Sequence, residues 1–193
     1  MSDNFSLRSE AMKFLNLDII GVAETHLKNN ECLEFEGYMW FGNNRTELHR
    51  NVWSGSGGVG FLVKQELLNS FDVKIEDNST EGILWLSLTD FVSQTSFYTC
   101  VCYLPPKNTT RPIDPCKFYD TLLSNIYDYQ EKGPISICGD FNSRCGDESD
   151  FIDGIDSIPL RNVVDYTCND YCDMFIQFLK DSFFLHFKRK EFS

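Results

Sequence analysis

The stretch from Asp114 to Asn142 constrains the fold more than any other part of this chain. Asp114 reads as a helix N-cap with Pro115 in the first helical position, and Phe118, Leu122, Ile126 and Tyr129 recur at helical spacing until Gly133 ends the run. The apolar segment Ile135-Ser136-Ile137-Cys138 follows at once and closes on Gly139-Asp140-Phe141-Asn142. A helix feeding such a strand predicts a crossover into a sheet buried between layers, and strand ends are where α/β sheets keep their chemistry. Residues i and i+2 of an extended segment face the same side. Asp140 and Asn142 are therefore expected to present a base or metal ligand and a hydrogen-bond donor to one spot, with Phe141 in the core. One carboxylate with one neutral donor suits an anionic, phosphate-like substrate; the same pair also reads as a polar strand end that caps a loop.

Two further segments end in the same manner. Asp18 to Glu24 is a short apolar strand closing on a carboxylate, and Tyr98 to Tyr103 is a strand stopped by Leu104-Pro105-Pro106, a proline pair that cannot continue a ladder. Strands are expected over 18–24, 58–64, 72–76, 83–89, 96–104 and 135–141, and helices over 7–17, 114–132 and 169–182. In 83–89 apolar residues fill both alternating sets, so both faces of that strand should be covered. Loops are left at 25–57 and 142–168, and no repeat, linker or low-complexity tract divides the 193 residues, which reads as a single domain, 1–193. Gly55-Ser56-Gly57-Gly58-Val59-Gly60 satisfies a dinucleotide fingerprint in form only. It follows a polar loop and opens a strand, the reverse of what that motif requires, so the glycines read as a turn and a close backbone approach.

Taken together and in order, Glu-Thr-His-Leu (24 to 27), Gly-Gly-Val-Gly-Phe-Leu-Val (57 to 63), Tyr-Leu-Pro-Pro (103 to 106) and Gly-Asp-Phe-Asn-Ser-Arg (139 to 144) resemble the endonuclease/exonuclease/phosphatase superfamily. That is the fold of deoxyribonuclease I and the apurinic endonucleases, and the blocks look most like the endonuclease domain of non-LTR retrotransposons. The likeness runs from about Leu7 to about Phe187. It implies a deoxyribonuclease I-like α/β sandwich, two sheets flanked by helices, and a Mg²⁺-dependent phosphodiester hydrolase acting on DNA, with Mn²⁺ as the alternative ion. Carried over, it makes Glu24 the metal carboxylate, Tyr103 a contact to the scissile phosphate, Asp140 the group that orients or deprotonates the attacking water, and Asn142 a phosphate contact. A buried Tyr hydroxyl near Glu24 would serve as a donor. The same resemblance expects an Asn on a first strand, and an Asp followed by an Asp-His pair on the last strands, and this sequence shows neither; Asn4 is at best a stub. Cys172 stands where the retroelement domains usually have Gly. The expectation is a domain incomplete at both terminal strands, inactive by itself and prone to associate through open sheet edges.

Composition narrows the alternatives. With 42% hydrophobic and 15% aromatic residues the chain is globular, while its net charge of −12 is the wrong sign for holding long nucleic acid by phosphate neutralisation. The only compact basic run is Lys188-Arg189-Lys190. The acidic surface suits a phosphatase or phosphodiesterase acting on a small phosphoester, and a non-enzymatic module keeping only the scaffold is the third reading. Eight cysteines occur without a C-x-x-C pair, which argues against structural zinc. No signal-peptide pattern and no membrane-length apolar stretch occurs, so the expectation is an intracellular protein, nuclear or cytoplasmic, with reduced, buried thiols and sequons such as Asn44-Arg45-Thr46 unused. His26, His49 and His186 carry no partner pattern of a catalytic base.

Overall fold

Every strand expected from the sequence forms, and one more joins them. The computed structural model describes residues 16–44, 57–109, 112–149, 163 and 165–182. Asn4, residues 7–15 of the first helix-like segment, Arg45 and Thr46, His49, Gly55 and Ser56, residues 150–162, His186 and the basic run 188–190 lie outside them. The chain forms two compact units. The first comprises the described residues up to Tyr103 together with Tyr129–Asp140, and the second comprises Leu104–Asp128 and the described residues from Phe141 onward.

The first unit holds seven strands: β1 (Ile19–Ala23), β2 (Tyr38–Asn43), β3 (Val59–Lys64), β4 (Phe71–Asp77), β5 (Ile83–Asp90), β6 (Ser96–Tyr103) and β7 (Ile135–Asp140). They make a three-stranded sheet of order β1-β3-β2 and a four-stranded sheet of order β4-β5-β6-β7. All pairings are antiparallel except β6 with β7, which run parallel because the chain crosses over between them. Period-two alternation builds the core. Val59, Phe61 and Val63 of β3 cluster with Leu84 and Leu86 of β5 and with Val101 and Tyr103 of β6. The intervening residues Ile83, Trp85, Cys100 and Cys102 are buried as well, so β5 and β6 are covered on both faces, as the sequence reading of 83–89 expects. On that second face Tyr129 stacks on Tyr98 at 4.9 Å and tilts against Trp85 at 5.1 Å.

Two expectations are corrected here. Residues 38–43 belong to a strand, where the reading from sequence has a loop over 25–57. Tyr-Met-Trp-Phe is a run of strong strand formers, and Trp40 lies across Gly42 and Gly60, which face each other in the β2–β3 register. The second correction concerns β7, expected as a buried strand. It is an edge, paired among the described residues with β6 alone, and Ser136, Cys138, Gly139 and Asp140 are exposed. Ile-Ser-Ile-Cys alternates, with Ile135 and Ile137 half-buried, and that is the pattern of a strand covered on one side.

The second unit holds α1 (Pro115–Tyr129, whose last residue belongs to the first unit) and α2 (Cys172–Ser182). The Asp114 cap forms as read: its Oδ1 accepts the Cys116 amide at 3.0 Å and its carbonyl accepts Phe118 N–H. The α2 helix starts three residues later than 169 because Asn169 is its cap, its Oδ1 accepting the Tyr171 amide at 3.2 Å. Phe141 joins an aromatic core with Tyr119, parallel at 6.2 Å, and with Phe175 at 4.7 Å. Among the described residues no helix is long and apolar enough to cross a membrane.

Candidate active site

Glu24 is the first residue beyond β1 and Tyr103 the last of β6. The Tyr103 ring is built into the inter-sheet core at 5% exposure, and its hydroxyl donates to Glu24 Oε1. An apolar body with one polar tip at the sheet rim is what a Tyr at the end of a buried strand supplies. The backbone behind Glu24 is held by the glycine pair before β3. Thr25 N–H donates to the Gly58 carbonyl at 3.2 Å and His26 N–H to the Gly57 carbonyl at 3.0 Å, continuing the β1–β3 ladder past Glu24. Gly58 has φ +84, and a Cβ there would stand 2.5 Å from Thr25 Oγ1, so the glycines do serve as a close backbone approach. Glu24 itself has φ 54, a left-handed conformation uncommon for this residue type.

Asp140 closes β7 directly opposite Tyr103 in the parallel register. Neighbouring strands lie about 4.8 Å apart, so Asp140 stands beside Tyr103 on the same rim and on the same face of the sheet. Gly139, just before it, has φ +145, and a Cβ there would run into the Cys102 carbonyl, so only glycine lets β7 approach β6 at this point. Glu24 thus meets Tyr103 through a hydrogen bond, and Asp140 meets Tyr103 through strand register.

Asn142 belongs to the second unit. The strand stops at Asp140 and Asn142 has φ 47, so the i, i+2 alternation that would align the two side chains does not extend to it. One N–H of its carboxamide donates to the Leu104 carbonyl at 2.9 Å, and its own carbonyl accepts from Asn169 Nδ2 at 2.7 Å. The second unit also ties down the proline pair, through the Tyr171 hydroxyl bonded to the Pro105 carbonyl at 3.0 Å. Burial raises the Tyr171 hydroxyl above the ordinary tyrosine value. Reasoning from sequence found neither Asn169 nor Tyr171 as anchors. Asn169 carried a signal, its place just before a helical run; Tyr171 carried none.

The donor set was tested against the ion the resemblance implies. Among the described residues no three His, Cys, Asp or Glu side chains stand close enough to hold a metal ion. Mg²⁺ asks for less, one or two carboxylates with water and substrate oxygens completing its shell. Glu24 is exposed, and its carboxylate carries a second oxygen besides the one that accepts from Tyr103, so a single-carboxylate site of that kind fits. The thiols are unsuited. Cys138 has its backbone on the open edge but turns its sulfur inward toward Gly21, and burial pushes it up to about 12; burial also raises the Cys100 thiol well above its ordinary value. The expectation of uniformly buried cysteines is corrected: Cys32, Cys116, Cys138 and Cys168 are exposed.

No family model matches the chain, and no curated protein does. Solved structures do. The AP endonuclease of Leishmania major superposes with a TM-score of 0.58 at 12% identity, over 74% of this chain and 51% of that one. The human Nocturnin catalytic domain with bound sulfate anion superposes with a TM-score of 0.51 at 17% identity, over 75% of this chain and 58% of that one. The chain thus spans about half the length of these structures, and the likeness is one of fold: a deoxyribonuclease I-like α/β sandwich.

Proposed function

We propose that this chain carries part of a Mg²⁺-dependent phosphodiester hydrolase site, with Glu24 as metal carboxylate, Tyr103 and Asp140 beside it, and DNA as substrate class. The observation that carries the reading is the Tyr103 hydroxyl donating to Glu24 on the rim where β7 delivers Asp140. A carboxylate from the three-stranded sheet with a phenol and a second carboxylate from the four-stranded sheet are groups that hydrolysis of a phosphoester can use. Mg²⁺, when bound, neutralises charge on phosphoryl oxygens. Tyr103 fixes the rotamer of Glu24 by its hydrogen bond. Asp140, at the exposed end of an edge strand, is reached by water, which it orients and from which it takes a proton. The resemblance adds Asn142 as a phosphate contact and Mn²⁺ as an ion that the same oxygen ligands accept. The order of the motif blocks supports a retroelement origin.

Catalysis by these residues alone is expected to be slow. No Asp-His pair follows Asn142 in the sequence, and loss of members of a catalytic unit typically costs several orders of magnitude in rate. The expected result is little or no Mg²⁺-dependent nicking of supercoiled plasmid. Robust nicking abolished by both Glu24→Ala and Asp140→Ala would overturn the inactivity and keep the site. Robust nicking unaffected by either substitution would remove the site. The net charge of −12 favours a second reading, hydrolysis of a small phosphoester, for which p-nitrophenyl phosphodiesters are the probe. An interaction module remains if neither substrate turns over. The exposed edge β7, paired among the described residues with β6 alone, is then a surface for strand pairing with a partner.

A further inference from the structure

In the second unit, Cys145 and Cys168 face each other across an isolated antiparallel bridge. The Asn169 amide donates to the Arg144 carbonyl at 3.0 Å, so the hydrogen bond flanks the cysteine pair and does not run between its members. That makes it a non-hydrogen-bonded pair, the kind in which facing Cα atoms approach to about 4.5 Å and side chains come closest. A disulfide spans Cα separations of about 4.4 to 6.8 Å, a range that includes the spacing typical of such pairs. Gly146 supplies an independent sign of crowding around the sulfur. Its φ is +47, and a Cβ on it would lie 3.2 Å from Cys168 Sγ. Cys145 is buried, with its sulfur 3.3 Å from Ser143 Oγ, whereas Cys168 is exposed and reachable by an oxidant.

We infer that Cys145 and Cys168 are an oxidisable thiol pair that closes into a disulfide next to the segment carrying Asn142. A third thiol, Cys172, is the first residue of α2, and its carbonyl accepts from Cys145 Sγ at 3.8 Å. Cys145 and Cys168 are the two that the backbone bridge pairs, and burial with the neighbouring Cys145 and Cys168 thiols pushes Cys172 up to about 12, which disfavours its thiolate. With hydrogen peroxide as oxidant, the Cys168 thiolate attacks one peroxide oxygen, the O–O bond breaks, and the departing hydroxide takes up a proton to leave as water. The Cys145 sulfur then attacks the Cys168 sulfur. The S–O bond breaks and the oxygen leaves as a second water with the Cys145 proton. Two thiols lose two electrons and the peroxide is reduced. The bond would clamp Arg144 against Asn169, the residue that donates to the Asn142 carbonyl. This inference does not depend on the hydrolase reading.

The test is a peptide map of the full chain after graded hydrogen peroxide, with remaining thiols blocked by iodoacetamide and digestion under non-reducing conditions. The dominant linked peptide should join Cys145 to Cys168, disappear on treatment with dithiothreitol, be lost in Cys145→Ser and Cys168→Ser, and persist in Cys172→Ser. Alkylation of both thiols should fall together while that of Cys32 does not. A dominant link involving Cys172, or oxidation of Cys168 with Cys145 fully alkylated, would overturn the assignment. The map of the unsubstituted chain decides it even where a variant fails to fold.

Discussion

The Tyr103 hydroxyl donates to Glu24 from the rim of the four-stranded sheet. Glu24 holds a left-handed backbone, a conformation that costs an L-residue on the order of 1 to 2 kcal/mol and persists where surroundings over-determine it. Those surroundings are the Thr25 and His26 amides on the Gly58 and Gly57 carbonyls. Tyr103→Phe keeps the buried ring and deletes only the donor. It should lower unfolding free energy by about 1 kcal/mol, the ordinary net worth of such a bond. Urea denaturation with an unchanged m-value checks this, and a variant as stable as the parent would show that the bond contributes nothing to folding.

At the scale of elements, the two edges of the four-stranded sheet differ. The β4 edge carries Asp72, Lys74 and Glu76, a Lys74–Asp72 ion pair at 2.5 Å and a register irregularity between Ile75 and Asp77, all of which discourage further strand pairing. The β7 edge carries Ser136, Cys138 and Gly139, with one charge, Asp140, at its end. The β5–β6 turn is held by Asp90, whose Oδ1 accepts the Val92 amide at 2.8 Å and the Ser93 amide at 2.7 Å. The Ser93 and Val92 amides hold its carboxyl below the ordinary value. A carboxylate lowered by folding contributes stability that is present above its unfolded value and lost as pH falls through the folded one. The difference in melting temperature between the parent and Asp90→Ala should therefore narrow from neutral pH to about pH 3. A difference that stays constant over that range would show that the charge plays no part in the turn.

For the whole molecule, charge sets the terms of any encounter with DNA. Neutralising phosphates requires Lys and Arg, and 17 of these stand against 29 Asp and Glu. Non-specific DNA binders reach dissociation constants of about 10⁻⁴ to 10⁻⁶ M at physiological salt through basic surfaces. This chain should fall at or beyond the weak end of that range. Fluorescence anisotropy with a labelled duplex at about 0.15 M salt is expected to show no saturation below about 100 μM. Saturable binding near 1 μM would reveal a local basic surface and strengthen DNA as the substrate over a small phosphoester.

Local signals carried much of this. The Asp114-Pro115 start, the apolar spacing of α1 and the alternation in β5 each depend on residues a few positions apart, and each was legible because capping and periodicity are local physics. The residues ending three strands, Glu24, Tyr103 and Asp140, were legible for the same reason, and the Tyr103–Asp140 register shows why strand ends matter. Pairing is not local. Whether Ile135–Asp140 is central or edge depends on what lies beside it, and whether Tyr38–Asn43 is a loop or a strand depends on Val59–Lys64 being there to receive it. Asn142 turned into left-handed backbone because Leu104 and Asn169 hold it, partners distant in sequence. The meeting of Cys145 with Cys168 is likewise a matter of which chain segments are brought together. Side-chain chemistry and short-range period were written in the residues, whereas neighbours across space were decided only when apolar faces from distant segments buried one another.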